Sequence, residues 1–175
     1  MDNYYHFPEQ YYVEYDGLTN LPVDAAPEEE PAPPEETPEP EEPAPPEQTV
    51  LDEIYAAIAD EISGPEMLEL NERVITGYLG LRPEDYRDGR FYLCANNLKA
   101  DEIWLVELED EAAANAMRDL AQARIEVKAD TYEKYLPEES AISRRGIAVA
   151  KGNYVGLFVS PDAERMRDIF LAAVE

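Results

Sequence analysis

In the middle of the chain, the spacing of apolar residues changes from that of a strand to that of a helix. Residues 103–108 are apolar except for Glu107 and include Trp104, which favours a strand buried on both faces. After Glu109, apolar residues recur at three- and four-residue steps, which predicts one buried stripe on a long helix. That predicted stripe consists of Ala113, Ala116, Met117, Leu120, Ala123 and Val127. We therefore expect a strand followed by a long helix at the centre of the fold.

Two helical patterns and one strand pattern precede this centre. Thr49 and Asp52 have the spacing of a capping box and predict the start of a first helix, which Ser63-Gly64-Pro65 ends. The predicted buried stripe of this helix is Leu51, Ile54, Tyr55, Ile58 and Ile62. Residues 66–77 show a weaker helical pattern. The alternation of apolar residues over 91–95 predicts a strand.

Two strands and a helix are predicted after the long helix. Pro137 interrupts the helical pattern. Residues 147–150 and 154–159 then read as two strands joined by a short loop in which Gly152 can adopt a positive φ, so we predict a hairpin. Ser160-Pro161-Asp162 has the composition of a helix start. The buried face predicted for this last helix is Met166, Ile169, Phe170 and Ala173.

The predicted order of elements is helix, helix, strand, strand, helix, strand, strand, helix (ααββαββα). Short connections between consecutive strands favour antiparallel pairing. We therefore predict a single α+β domain over residues 49–175, with a four-stranded, mainly antiparallel sheet and helices packed over one face.

The composition of residues 1–48 differs from that of the predicted domain. Residues 1–50 contain 14 acidic side chains, no lysine or arginine, and 11 of the 15 prolines. Residues 25–48 are rich in proline and glutamate and predict an extended, stiff spacer. We predict a disordered tail over residues 1–48. The alternative is that its tyrosines form a docking motif for a partner: Tyr4, Tyr5, Tyr11, Tyr12 and Tyr15.

The charge of the chain narrows the classes of partner. The net charge is −26, and residues 51–175 carry 26 acidic and 14 basic side chains, a net −12. Such acidity disfavours nucleic acid and anionic membrane surfaces as partners.

No apolar run approaches the roughly 20 residues of a transmembrane helix, and the first residues lack a signal-peptide pattern as written. The default localisation from the sequence is therefore the cytoplasm.

Candidate chemistry is sparse in the sequence. His6 is the only histidine and lies in the predicted tail, and Cys94 is the only cysteine and suits a strand as a small apolar residue. Zinc sites with nitrogen and sulfur ligands are excluded by this count. The abundant carboxylates are interpreted as a solvated acidic surface. We predict no cofactor, no metal and no catalytic residue.

Four residues are candidates for binding: Glu102, Arg124, Tyr132 and Tyr135. Glu102 begins the central strand and Arg124 lies late on the long helix, so the two could form a structural ion pair. Alternatively, Arg124 could clamp a ligand carboxylate through two parallel hydrogen bonds. Tyr132 and Tyr135 come just before Pro137.

An ordered set of short motifs resembles a bacterial family, domain of unknown function 4358. The matching segments are Tyr78-Leu-Gly-Leu, Ala100-Asp-Glu-Ile-Trp-Leu-Val-Glu, the helix around Arg124, Tyr132-Glu-Lys-Tyr-Leu-Pro-Glu and Gly152-Asn-Tyr-Val-Gly-Leu-Phe-Val-Ser. The resemblance covers about residues 50–175 and implies a small bacterial domain with no known activity. Members often follow an export signal or a lipid anchor, so the resemblance and the spacer suggest the cell envelope.

These observations lead to two main hypotheses of function. The first is a non-enzymatic domain, displayed on an acidic Pro/Glu spacer, that binds a protein or a small ligand. The alternative is a carboxylate-based hydrolase or an enzyme that depends on a divalent cation. A third hypothesis assigns binding to the tyrosines of the tail, with the domain as their carrier.

Overall fold

The computed structural model describes residues 48–174, which form one sheet and the helices that pack on it. Residues 1–47, and with them the predicted tail and spacer, lie outside the described residues. The helices are α1 (Val50–Glu61), α2 (Glu72–Val74), α3 (Glu111–Tyr132), α4 (Pro137–Arg144) and α5 (Ala163–Ala173). The strands are β1 (Met67–Glu69), β2 (Asp88–Cys94), β3 (Glu102–Glu107), β4 (Ile147–Lys151) and β5 (Tyr154–Val159). A π-helical turn, Ile75–Leu79, continues α2, and Pro83–Asp85 forms a short 3-10 turn.

The sheet has the spatial order β1-β2-β3-β5-β4, and every pair of neighbouring strands is antiparallel. This confirms the predicted α+β class and antiparallel sheet, with five strands in place of four. The predicted β4–β5 hairpin is also confirmed, and Gly152 has a φ of 58° in its turn. The chain between β3 and β5 forms α3, α4 and the edge strand β4, so β3 and β5 become neighbours at the centre.

Helices cover both faces of the sheet, so the prediction that they cover one face is wrong. On one face, α3 packs against β4 and β5, and the core includes Phe91, Trp104 and Leu157. On the other face, α1 and α5 pack against each other and the sheet, with Leu105 and Phe158 at the centre. The reason is the composition of β3, whose apolar side chains point alternately into the two cores.

The fifth strand arises where the sequence predicts a weak helix over residues 66–77. Met67, Leu68 and Glu69 pair with Cys94, Leu93 and Tyr92, and helix begins only at Glu72, after Asn71 has capped it by accepting a hydrogen bond from the Val74 N–H at 3.1 Å. A second unpredicted element is α4, which starts at Pro137. Proline suits the first position of a helix because the missing N–H would have no partner there.

The predicted buried stripe of α3 is wrong at most positions. Leu120 and Val127 are 44% and 59% exposed, and Ala116 and Ala123 are also exposed. Of the predicted stripe, Met117 alone is fully buried. The face that contacts the sheet is instead Ala114, Met117, Ala121, Ile125, Lys128 and Ala129. Small alanines allow the helix to approach the sheet closely, and Lys128 is buried because it has a charged partner.

The first helix agrees with its prediction. Thr49 and Asp52 form the predicted capping box, in which the Asp52 carboxylate accepts a hydrogen bond from the Thr49 N–H at 2.9 Å. The same carboxylate binds Arg90 of β2, with Arg90 Nε 2.7 Å from Asp52 Oδ1. The cap of α1 is therefore also tied to the sheet.

Candidate functional site

A buried ion network links the start of β3 to α3. The Glu102 side chain is 0% exposed, and its two oxygens accept four hydrogen bonds. Oε1 accepts from Trp104 Nε1 at 2.8 Å and from Arg124 Nε at 3.0 Å. Oε2 accepts from Arg124 Nη2 at 3.1 Å and from Lys128 Nζ at 2.5 Å. The carboxylate is therefore fully occupied by groups of the protein.

The local structure brings these side chains together. Residues two apart on a strand point to the same face, which places Glu102 beside Trp104. Residues four apart on a helix also share a face, which places Arg124 beside Lys128. Packing of α3 on the sheet then sets both cations against one carboxylate. The pairing of Glu102 with Arg124 is the structural alternative that the sequence suggests, whereas no pattern in the sequence marks Lys128 and Trp104 as further partners.

The electrostatics of the network favour its charged form. Burial alone would raise the pKa of Glu102, but the charges of Lys128 and Arg124 outweigh burial and hold this pKa below its usual range. Burial alone would lower the pKa of Arg124, but its hydrogen bonds to Glu102 raise that pKa above its usual range. One negative and two positive charges meet here, and the single carboxylate is the member on which both cations depend.

Tyrosines lie beside the network at the surface. The Arg124 guanidinium lies 4.7 Å from the centre of the Tyr78 ring, a cation–π geometry. The Tyr132 hydroxyl lies 3.1 Å from the Lys99 carbonyl oxygen and can donate its proton there. Both tyrosines line a cleft of about 110 Å³. Tyr135 is 82% exposed. Ligand binding by the four candidate residues stays a prediction.

A second buried glutamate fixes α4 to the chain before β3. Glu139 Oε2 accepts a hydrogen bond from the Ala100 N–H at 2.8 Å, and Glu139 Oε1 lies 2.8 Å from Lys99 Nζ. Burial opposes ionisation of Glu139, but these hydrogen bonds lower its pKa. The sequence gives no signal for this contact because α4 itself is not predicted.

A second candidate site lies on the opposite face of the sheet, at one end. It is a pocket of about 350 Å³, which we call the end pocket. This volume is within the roughly 300–1,000 Å³ typical of small-molecule sites. Its walls are the C-terminal end of α1, the loop that follows α1, the first turns of α5 and the sheet. The residues that line it are Tyr55, Ile58, Ala59, Ile62, Ser63, Gly64, Pro65, Met67, Asp101, Ile103, Val159, Ser160 and Met166.

One carboxylate lines the otherwise largely apolar end pocket. Asp101 is 6% exposed, and burial raises the pKa of its carboxyl group. Ser160 is 5% exposed, and its Oγ accepts a hydrogen bond from the Asp162 N–H at 3.2 Å, which leaves the hydroxyl proton available to donate. In the sequence, Asp101 is marked only by its place in a family motif, and no spacing signal distinguishes it from the other acids.

We predict that Glu102→Gln destabilises the domain more than Lys128→Met does. The glutamine leaves the buried Lys128 and the partly buried Arg124 without a counter-charge, which should cost about 3–5 kcal/mol in the free energy of unfolding. The methionine removes the surplus cation and leaves the pair between Glu102 and Arg124 intact. Urea denaturation of the two variants and the wild type measures both differences. An equal or larger loss in Lys128→Met would contradict this account.

We predict that the free energy of unfolding depends more strongly on acidic pH in the wild type than in Glu102→Gln. Because folding lowers the pKa of Glu102, the unfolded chain takes up the proton first as the pH falls. The contribution of ionised Glu102 to the free energy of unfolding is complete above about pH 4.3, the ordinary pKa of glutamate. It is lost as the pH falls through the lower pKa that Glu102 has in the folded protein. The wild type should therefore lose more stability than Glu102→Gln between pH 5 and pH 3.

Comparisons with known proteins place the chain in a family. Within residues 48–174, none of the helices is long and apolar enough to cross a bilayer, and no group of three or more His, Cys, Asp or Glu side chains is arranged to hold a metal ion. Searches of curated proteins and of solved structures find no significant match. A family model described as "Domain of unknown function (DUF4358)" matches residues 60–160, more than half of the chain, and confirms the resemblance seen in the sequence motifs. The chain belongs to the DUF4358 family.

Proposed function

We propose that this domain binds a small, largely apolar ligand in the end pocket and does not act as a catalyst. The observation that carries the proposal is the pocket itself. Its volume of about 350 Å³ suits a small molecule, and aliphatic side chains such as Ile58, Ile62 and Met166 form much of its wall. Burying apolar ligand surface there would supply the binding free energy, at roughly 25 cal/mol per Å².

The polar groups of the pocket support binding over catalysis. General acid–base hydrolysis by carboxylates needs two acids that converge on the substrate. Asp101 is the one acidic residue among those that line the pocket. Ser160 Oγ would need a neighbouring base to act as a nucleophile, and no histidine or lysine is among the described residues that line the pocket. No observation on residues 48–174 favours the hydrolase or the cation-dependent enzyme.

Display of the domain on a spacer is the part of the proposal that rests on the sequence alone. The Pro/Glu-rich residues 25–48 have the composition of an extended, self-repelling segment. Such a spacer would hold the ligand-binding domain away from an attachment point. This arrangement suits a binding protein of the cell envelope, and a cytoplasmic protein is the alternative.

Protein interaction is a second candidate function, and the exposed side of α3 favours it. Ala116, Leu120, Ala123 and Val127 follow steps of four, three and four residues, so they form one stripe along the helix, which we call the α3 stripe. Leu120 and Val127 are 44% and 59% exposed there. An apolar stripe with this spacing is typical of a helix that packs against another helix.

We predict that closing the mouth of the end pocket abolishes binding of an apolar probe. Ala59 lines the pocket and is exposed on α1, so Ala59→Trp places an indole at the opening. The probe is 1-hexanol, titrated into the full-length protein and followed by ¹H–¹⁵N NMR. Chemical shift changes of pocket residues should saturate in the wild type, and the affinity should fall at least about tenfold in Ala59→Trp.

The matched control for the pocket is Ala56→Trp. Ala56 is also an exposed alanine of α1, one turn earlier, and is not among the residues that line the pocket. It should leave hexanol binding unchanged. If hexanol perturbs no pocket residue in the wild type, or binds all three proteins equally, the proposed small-ligand function is wrong.

We predict that the double variant Leu120→Glu, Val127→Glu loses partner proteins that the wild type retains. Two carboxylates on the α3 stripe would oppose burial against another apolar surface. The measurement is quantitative mass spectrometry of proteins retained by each full-length chain, and Leu98→Glu is the control, since Leu98 is 59% exposed and lies outside α3. Identical retention by all three chains would exclude the α3 stripe as an interface.

A further inference from the structure

We propose that the end pocket selects ligands that carry an amine on an apolar body, and that the Asp101 carboxylate binds the ammonium group. This inference rests on the proposed small-ligand function and specifies the chemical class of its ligand. It follows from the position of Asp101, from the partners available to its carboxylate, and from the charge of the domain.

The position of Asp101 is fixed by the ends of three strands. The Asp101 carbonyl oxygen accepts a hydrogen bond from the Cys94 N–H at 3.1 Å, so the β2–β3 ladder extends to this residue. Glu102 pairs with Val159, which places Asp101 opposite Ser160 one step further along. Side chains alternate along a strand, so Asp101 points to the face of the sheet that holds Ile103, and Glu102 points to the other. The two adjacent acids therefore differ in direction, and Asp101, at the end of the sheet, also borders the cleft lined by Tyr78 and Tyr132.

The two acids differ in their partners. Both oxygens of Glu102 accept hydrogen bonds from protein groups. For Asp101, the interactions that lower its pKa are a hydrogen bond with its own backbone and the more distant charges of Lys128 and Lys99. No side chain of the described domain donates a hydrogen bond to this carboxylate. Asp101 as a residue is 6% exposed and its carboxylate has no charged donor, so its partial burial is costly, and a cation in the pocket would offset that cost.

The chemistry of the pocket distinguishes an amine from other head groups. An ammonium group would form a charge-assisted hydrogen bond to Asp101, which is shorter and stronger than a neutral one. A ligand carboxylate in the same place would be repelled, since Asp101 is the acidic residue that lines the pocket. The net charge of −12 over residues 51–175 acts in the same direction by attracting cations to the surface.

The remaining lining residues define the rest of the ligand. Ile58, Ile103 and Met166 are buried aliphatic side chains that require an apolar body. The Ser160 hydroxyl, opposite Asp101, can donate its proton to an acceptor close to the amine. The expected ligand is therefore a small amphipathic amine, with its head at the sheet and its apolar body against α1 and α5.

The test compares three probes with the same six-carbon body: hexylamine, 1-hexanol and hexanoate. Each is titrated into the full-length protein near neutral pH and followed by ¹H–¹⁵N NMR. Hexylamine should bind the wild type at least about tenfold more tightly than 1-hexanol, and hexanoate should bind most weakly. In Asp101→Asn, which keeps the shape of the side chain, hexylamine should lose this advantage and 1-hexanol should bind as before.

The matched control is Asp60→Asn, which changes the net charge equally. Asp60 is an exposed residue of α1 and does not line the pocket, so the preference for hexylamine should persist. If hexylamine and 1-hexanol bind equally, or if Asp101→Asn keeps the preference, the amine inference is wrong while the small-ligand function stands. If none of the probes perturbs pocket residues, the proposed function fails as well. Retained binding of 1-hexanol shows that Asp101→Asn is folded.

Discussion

Burial of both faces of β3 is the constraint on which the rest of the structure depends. Five of its six residues are fully buried, so each side chain must be accommodated in one of two cores. The apolar residues of the strand do this by packing. Glu102 cannot, because an unpaired carboxylate in a protein interior costs several kcal/mol, and it therefore needs cationic partners from the element that covers its face. The place of α3 on the sheet is thus tied to one ionised residue.

This requirement explains why the pattern of apolar residues misplaces the buried face of α3. Leu120 and Val127 are large aliphatic side chains in the middle of that helix, and a count of hydrophobic residues at helical spacing assigns them to the core. The observed face is rotated so that Lys128 and Arg124 reach Glu102, and Ala121 fits against the sheet. A single sequence does not show that a lysine has a buried partner 26 residues away. When Lys128 faces the sheet, Ala116, Leu120, Ala123 and Val127 are left on the exposed side of the helix, and they form the α3 stripe.

Other elements follow more directly from local sequence. The capping box at Thr49, the β4–β5 hairpin with Gly152 at positive φ, and the central strand depend on neighbours in the chain, and the sequence predicts all three. The edge strand β1 and helix α4 depend on contacts with distant residues. Three residues are too few for β1 to show a periodic pattern, and only the pairing with β2 defines it. The same limit applies to the candidate sites. The ion pair between Glu102 and Arg124 can be proposed from the sequence, because opposite charges suggest it. The pocket formed by α1, α5 and the sheet cannot be proposed in this way, because it depends on how distant elements pack.

The two candidate sites are consequences of one geometry at the same end of β3. Successive residues of a strand point in opposite directions, so the pair Asp101-Glu102 sends one carboxylate to each side of the sheet. On the side of α3, two cations are available, and the carboxylate becomes part of the core. On the side of α1, the helix has already ended at Glu61 and the chain leaves through Ser63-Gly64-Pro65, so a pocket remains where a covering side chain would otherwise lie. The acid on that side has no partner of the same kind within the domain. A charged group of this sort is more easily explained by what the pocket binds than by what it contributes to stability, because replacing it with an apolar residue would remove its cost of burial.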